Sequence, residues 1–203
     1  NAVLADERNR ALYVCYEHDR THLLSRLICL ESAEHGNGDN SLTLRKLSKL
    51  AFSPLEVSGL VSRLRRDRRY ANLLRAMASY AERLVLARAS GAYTTLRDIE
   101  RWVDDLRTPD TRHVLLVVDY LQKIPISRDL FVDEEERTTL LTQGLKDLAL
   151  SKGIAVVAIA AADRMGLKSR RMRLADLRGS SALQYETDIG LVLNNKHDIV
   201  SRE

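Results

Sequence analysis

Apolar positions along the chain switch between two periods. Ala11-Leu-Tyr-Val-Cys-Tyr16 is a short β-prone run that stops at Glu17-His18-Asp19. Leu23, Leu24, Leu27, Ile28 and Leu30 then recur at helical spacing, which predicts an amphipathic helix from Thr21 to about Glu34. His35-Gly-Asn-Gly-Asp-Asn40 is a loop. Residues 42–83 read as charged helices, with Pro54 in the first turn of one, and Leu84–Arg88 as a further strand. Thr95 caps the next helix, with Asp98 in the capping-box position and Leu96, Ile99, Val103 and Leu106 as its buried stripe. His113-Val-Leu-Leu-Val-Val118 is almost continuously apolar, as a strand covered on both faces of a parallel sheet would be, and it ends at Asp119. Asp133–Ser151 is a long helix with Leu140, Leu141, Leu145 and Leu148 inward, stopped by Lys152-Gly153. Ile154–Ala160 is another covered strand and Ile189-Gly-Leu-Val-Leu193 the last one.

Strands alternating with helices predict an α/β fold, a mainly parallel twisted sheet flanked by helices. Ligands of such sheets bind beyond the carboxyl ends of the strands, where Glu17, Asp119, Asp163 and Asn194 stand. The 203 residues fit one domain, 1–203, with a helical insertion over 37–83. With 45% hydrophobic and 30% charged residues, and only 3 Pro and 9 Gly, a collagen-like or low-complexity chain is excluded. The longest apolar run, Ile154–Ala162, is strand-sized and falls short of the roughly 20 residues of a membrane span. A net charge of +4 permits a polyanion partner without establishing one. Cys15 and Cys29 show no metal-ligand spacing and read as reduced core thiols. No signal-like segment is present, so a cytoplasmic location is expected; a chain that starts at Asn1 is expected to be a fragment.

The candidate chemistry lies at the strand ends. Leu115-Leu-Val-Val-Asp119 fits the Walker B pattern, in which a buried strand delivers a carboxylate that holds Mg²⁺ directly or through water. Glu17, ending another strand, has the chemistry of a general base for a water attacking a γ-phosphate. Taken singly, each also reads as a loop-starting, capping or solvated carboxylate. Arg63, Arg65, Arg66, Arg68 and Arg69 read as a solvated helix face, or as a contact to a neighbouring subunit or DNA. Lys168, Arg170, Arg171 and Arg173 form a second basic run, suited to raising polyanion affinity. Trp102 reads as core, and no histidine is assigned to a metal.

In combination these blocks resemble the DnaB-type replicative helicases. Asp119-Tyr-Leu-Gln122 after an apolar strand is similar to that family's Walker B signature. Tyr13-Val-Cys-Tyr-Glu-His18 with the helix at His22–Cys29 resembles its strand, glutamate and helix. Gly144–Ala158 resembles its next helix and strand, and Asp176–Asp188 its DNA-facing loop, short helix and final acidic residue. The resemblance runs from about Ala11 to Leu193. It implies a RecA-like P-loop NTPase core, an ATP-dependent helicase that uses Mg²⁺ and translocates on single-stranded DNA as a homo-oligomeric ring, usually a hexamer, with a primase or loader as possible partners and no membrane. By position, Glu17 and Asp119 would be catalytic, Asp119 also the Mg²⁺ carboxylate, and Arg26 and Gln122 nucleotide-binding. Arg26 also reads as a solvent-facing helix residue. Arg178, Gly179, Ser180, Arg171 and Arg173 would contact DNA.

Departures from the family pattern are specific. No GxxxxGK[ST] phosphate loop occurs in these residues, so the loop is expected before Asn1, and the later basic hairpin beyond Glu203. Where the family's strand ends in a Ser-Gln pair that senses the γ-phosphate, this chain has Ala160-Ala161, and Gly179 replaces the acidic residue after the loop arginine. As it stands the chain is expected to be inactive. A degenerate RecA-like module for DNA binding or ring assembly is the alternative, and a recombinase-type repair ATPase a third.

Overall fold

The computed structural model describes residues 2–35, 41–51, 59–126, 133–164, 166–169, 171–179 and 181–194. Pro54, Arg170 and Ser180 lie outside the described residues. Four parallel strands, β1 (Asn9–Cys15), β2 (Leu84–Arg88), β3 (His113–Asp119) and β4 (Ala155–Ala158), form one sheet in the order β2-β1-β3-β4. Parallel neighbours require long crossovers. Helices α2 (Arg20–His35), α3 (Leu44–Ala51), α4 (Leu60–Arg66) and α5 (Ala71–Tyr80) stand between β1 and β2. Helix α6 (Leu96–Leu106) joins β2 to β3, and α7 (Glu134–Lys152) stands between β3 and β4. Short helices α1 (Ala2–Ala5) and α8 (Ala182–Glu186) flank the set. The expected α/β class with a parallel sheet is what forms.

The period-2 geometry of the strands sorts their side chains onto two faces. Val114, Leu116 and Val118 of β3, each at most 2% exposed, join Leu12 and Val14 of β1. They pack on Ile99 and Val103 of α6 and on Leu141, Leu145 and Leu148 of α7. At roughly 1.5–3 kcal/mol for each fully buried aliphatic side chain, this layer is the main source of stability. On the opposite face Ala11 and Leu115 meet Leu27 of α2 and Met77 and Tyr80 of α5. Beyond them Ile28, Leu47, Leu64 and Leu73 tie α2 to α5 in a second apolar cluster.

Local chemistry sets the helix ends. The Asp19 carboxylate accepts from the His22 N–H at 2.8 Å and opens α2. Helix α7 starts where Asp133 accepts from the Glu136 N–H and stops at Gly153, whose φ of 59° is the left-handed conformation glycine adopts without a Cβ penalty. Before α6 the Thr95 hydroxyl accepts from the Asp98 N–H and the Asp98 carboxylate accepts from the Thr95 N–H at 2.8 Å, the reciprocal pair the sequence predicts. These bonds from Thr95 hold the Asp98 carboxyl below its ordinary pKa. Thr95→Ala is therefore expected to lower stability by about 0.5–2 kcal/mol at neutral pH. Because the folded-state pKa is lowered, the difference from wild type shrinks as pH falls below the ordinary carboxylate range. Urea unfolding of both proteins at neutral and acidic pH checks this; a constant difference would contradict it.

Three expectations need correction. Leu24 and Leu30 of α2 are 42% and 58% exposed, and Leu140 of α7 also points outward; the buried set includes Glu31 and Ser32 in α2, and Thr138 and Thr142 in α7. Glu31 is tolerated inside because its Oε1 accepts from the Tyr80 hydroxyl at 2.7 Å and His35 Nε2 lies 3.2 Å from Oε2. β4 is not covered on both faces: it is a sheet edge, with Val157 49% exposed. Ile189–Leu193 forms no strand, and Ile189, Leu191 and Leu193 are 79%, 88% and 91% exposed. An apolar run can serve as a strand, but only docking on a neighbour's N–H and C=O groups makes it one. Among the described residues nothing pairs with the outer edge of β4.

Candidate nucleotide and nucleic-acid site

β1 and β3 are adjacent, with Cys15 opposite Asp119, so both strands deliver their last residues to the same rim of the sheet. The Tyr16 N–H extends the pairing by donating to the Asp119 carbonyl at 2.8 Å, which places Glu17 one residue past the last ladder bond. On the other side Ala89 N–H donates to the Cys15 carbonyl, bringing the turn after β2 alongside. Between the ends of β1 and β2 opens a polar cleft of about 580 Å³, lined by Tyr16, Glu17, Asp19, Arg88, Ser90 and Thr94. Glu17 is exposed and makes no hydrogen bond or ion pair among the described residues.

Asp119 is held differently. Its Oδ2 accepts from the Tyr13 hydroxyl at 2.8 Å and lies 3.8 Å from Cys15 Sγ. Burial, followed by the Asp119 carboxylate, pushes the Tyr13 hydroxyl pKa well above its ordinary value, so Tyr13 stays a proton donor to Asp119 at neutral pH. Arg26, exposed on α2, acts on the same hydroxyl in the opposite sense. Tyr13 is absent from the sequence-based site. Alternation alone puts Tyr13 on the face of Cys15, but only the register, which sets Cys15 opposite Asp119, brings the Tyr13 hydroxyl to that carboxylate.

The segments that follow β3 and β4 continue along this rim. Ile159 N–H donates to the Val118 carbonyl and Leu121 N–H to the Ile159 carbonyl, both at 2.9 Å. Residues 161–163 then run antiparallel to 176–178: Arg178 N–H donates to the Ala161 carbonyl at 2.8 Å and Asp163 N–H to the Asp176 carbonyl at 2.9 Å. The Arg178 guanidinium pairs with Glu134 at the start of α7, which raises its pKa. Both side chains are about half exposed, and so open a pair is weakened by solvent and salt, so a phosphate can compete for the arginine. Gly179, with φ 119°, seats its Cα against Thr138 of α7. Lys168, Arg171 and Arg173 are exposed on the intervening loop and make no ion pair among the described residues.

Not every candidate is placed as expected. Gln122 spends its side chain on the protein's own backbone: Nε2 donates to the Arg178 carbonyl at 2.8 Å and Oε1 accepts from the Ala161 N–H at 3.2 Å. Asp163 caps the turn at Gly166, and Asn194 clamps the Met172 backbone through both ends of its amide. In the other basic cluster Arg63 donates to the Leu50 carbonyl and Arg69 pairs with Asp67, while Leu64 is the buried member, as in a solvated helix face. Trp102 packs against the main core.

The profile of the DnaB-like helicase C terminal domain matches residues 1–202. The chain belongs to this family. Among solved structures it is similar to an ATPase domain, with TM-score 0.69 and 16% identity over 91% of this chain and 59% of that one. It is also similar to a DnaB-like replicative helicase determined with its interactions with primase, with TM-score 0.68 and 16% identity over 92% of this chain and 41% of that one. The chain thus spans less than two thirds of either relative. A search of curated proteins finds no match. The fold is that of the DnaB-like, RecA-type ATPase domains, with a four-stranded parallel sheet between helices.

Asp119, at the end of β3, has the donor chemistry of a Mg²⁺ ligand. No group of three His, Cys, Asp or Glu side chains among the described residues could hold a metal alone. Tyr13 fixes Asp119 Oδ2, and among the described residues no hydrogen bond to Oδ1 is found. One carboxylate, with the remaining positions left to water and phosphate oxygens, is the way Mg²⁺ is bound at nucleotide sites.

Proposed function

We propose that this chain is the core of a DnaB-type replicative helicase motor, which hydrolyses ATP or another NTP with Mg²⁺ and translocates on single-stranded DNA. The observation that supports the reading is the pairing of β1 with β3, which ends both strands at one rim of a parallel sheet, with Asp119 opposite Cys15 and Glu17 two residues further along the chain. Glu17 orients a water and takes its proton as the γ-phosphate is attacked. Asp119, its Oδ2 fixed by Tyr13, would hold the metal, directly or through water. Bound there, Mg²⁺ would neutralise the phosphate oxygens. Arg26 faces the nucleotide from α2. Arg178 and the backbone around Gly179 and Ser180 take DNA phosphates, with Arg171 and Arg173 adding charge, contacts that carry no base code.

Family membership supports a homo-oligomeric ring, a hexamer, with a primase or loader as partner, working in the cytoplasm at the nucleoid. No helix among the described residues is long and apolar enough to cross a membrane. On this reading 1–203 is one RecA-like domain with its helical insertion at 37–83. The test is NTP hydrolysis by the protein that joins this chain to a phosphate loop: turnover rises on adding oligo-dT. Hydrolysis that ignores DNA, or none at all, would contradict the motor.

A second reading, a DNA-binding or ring-building module without turnover, is favoured by one feature. The segment after β4 offers no side-chain donor or acceptor at Ala160-Ala161, so no side chain there can bond a γ-phosphate. For the 203 residues alone both readings expect no thermal stabilisation by ATP, since no phosphate-loop pattern occurs in them. A ligand at a hundred times its Kd would add about 2.7 kcal/mol. A melting scan with MgATP that shifts upward by several degrees would contradict this.

A further inference from the structure

We infer that Gln122 is a positioning residue that fixes the polynucleotide loop at Arg178 to the Asp119 strand end; this rests on the reading of Arg178 as a nucleic-acid contact. Gln122 lies three residues after Asp119, in a single turn spanning Leu121–Lys123. Its amide meets two other segments at once, donating to the Arg178 carbonyl and accepting from the Ala161 N–H. Those segments also bond to each other, Arg178 N–H to the Ala161 carbonyl. Three backbone strands therefore converge on one side chain.

A primary amide has both a donor and an acceptor at the end of a flexible stem, and this junction uses both. Neither neighbouring alanine, Ala160 or Ala161, can do so. A shift of the turn after Asp119 therefore reaches the carbonyl of Arg178 directly, through a single hydrogen bond. The charged groups on the joined segments are engaged elsewhere. Arg178 pairs with Glu134, Asp163 accepts from Gly166, Asp176 accepts from the Arg173 N–H, and Lys123 lies over the Tyr120 ring.

The test is binding of fluorescein-labelled oligo-dT to the 203-residue chain at low salt, with melting temperature recorded for every variant. Arg178→Ala is expected to weaken binding by about tenfold, the scale of one good phosphate contact. Gln122→Leu, which keeps the bulk and loses both bonds, is expected to weaken it comparably. The double variant Gln122→Leu/Arg178→Ala is expected to be no weaker than Arg178→Ala alone, because Gln122 acts through Arg178.

Gln122→Glu gives a signature that packing alone would not. A protonated carboxyl has an acceptor oxygen and an O–H donor, like the amide, whereas a carboxylate can only accept and would face the Arg178 carbonyl. Its affinity, relative to wild type at the same pH, is expected to recover as pH falls through the introduced carboxyl's pKa and to be lost above it. Wild-type affinity in Gln122→Leu, additive losses in the double variant, or a flat pH response in Gln122→Glu would overturn the link. Where Gln122→Leu melts too low to assay, the pH response of Gln122→Glu decides alone. No binding by the wild-type chain, or wild-type binding by Arg178→Ala, would instead remove the DNA reading on which the link rests.

Discussion

Glu17→Gln is expected to cut DNA-stimulated NTP turnover by about 10²–10⁴-fold, the range a positioned general base contributes. The relevant protein is the one that joins this chain to a phosphate loop. The substitution exchanges a proton acceptor for an amide of the same size. Glu17 is exposed at the cleft between the ends of β1 and β2 and has no partner among the described residues, so nothing in the fold depends on its charge. Stability is accordingly expected to stay within about 0.5 kcal/mol of wild type, as for surface changes generally. Nucleotide binding is expected to persist, because removing the base affects the transition state and leaves the bound ground state nearly unchanged. Single-turnover hydrolysis and nucleotide titration, measured together, separate the outcomes. Unchanged turnover would take Glu17 out of the mechanism, and lost binding would mean that it contacts the nucleotide.

The contrast between Glu17 and Asp119 shows which parts of the site are written locally. Both carboxylates follow apolar runs, and a strand in a parallel sheet ends at the rim where ligands bind, so their position could be read directly. Their environments could not. The Tyr13 hydroxyl that holds Asp119 lies 106 residues away in sequence, and Gln122 reaches a carbonyl 56 residues on. Such contacts follow from register and loop packing, which no local pattern encodes. The same reasoning separates the elements. Thr95 with Asp98, and Asp133 with Gly153, bound their helices through chemistry within a few residues, and those boundaries hold to a residue or so. Ile189–Leu193 has the composition of a strand, but composition does not say whether a run docks on a partner edge; the outer edge of β4 is unpaired among the described residues, and this run does not pair with it. In α2, Leu24 and Leu30 have the helical spacing of inward residues, yet the buried arc is fixed by what packs on it. There the Tyr80 hydroxyl draws in Glu31.

Gly179→Ala is expected to pry the 176–179 segment off α7. A Cβ at this position would stand 2.2 Å from Thr138 Oγ1 and 2.7 Å from Thr138 Cβ. Thr138 cannot turn aside easily: it is 2% exposed, β-branched, and its hydroxyl donates to the Glu134 carbonyl at 2.8 Å. The φ of 119° adds to the problem, since side-chain-bearing residues rarely adopt it and such backbone strain costs about 1–3 kcal/mol. Overpacking adds about 1–3 kcal/mol more if nothing moves. The main core is formed by other residues, so the loop is expected to shift while the sheet stays folded. The Arg178 and Asp163 N–H groups, which bond across the two antiparallel segments, are then expected to exchange with solvent markedly faster. Oligo-dT affinity is expected to fall by about tenfold or more, because Arg178 and its neighbours lose their fixed spacing. Adding Thr138→Ala removes the hydroxyl and methyl but keeps the Cβ and the φ, so recovery should be partial. Amide exchange by mass spectrometry, with binding measured on the same proteins, checks each step. Wild-type exchange and affinity in Gly179→Ala would mean that the loop does not rest on Thr138.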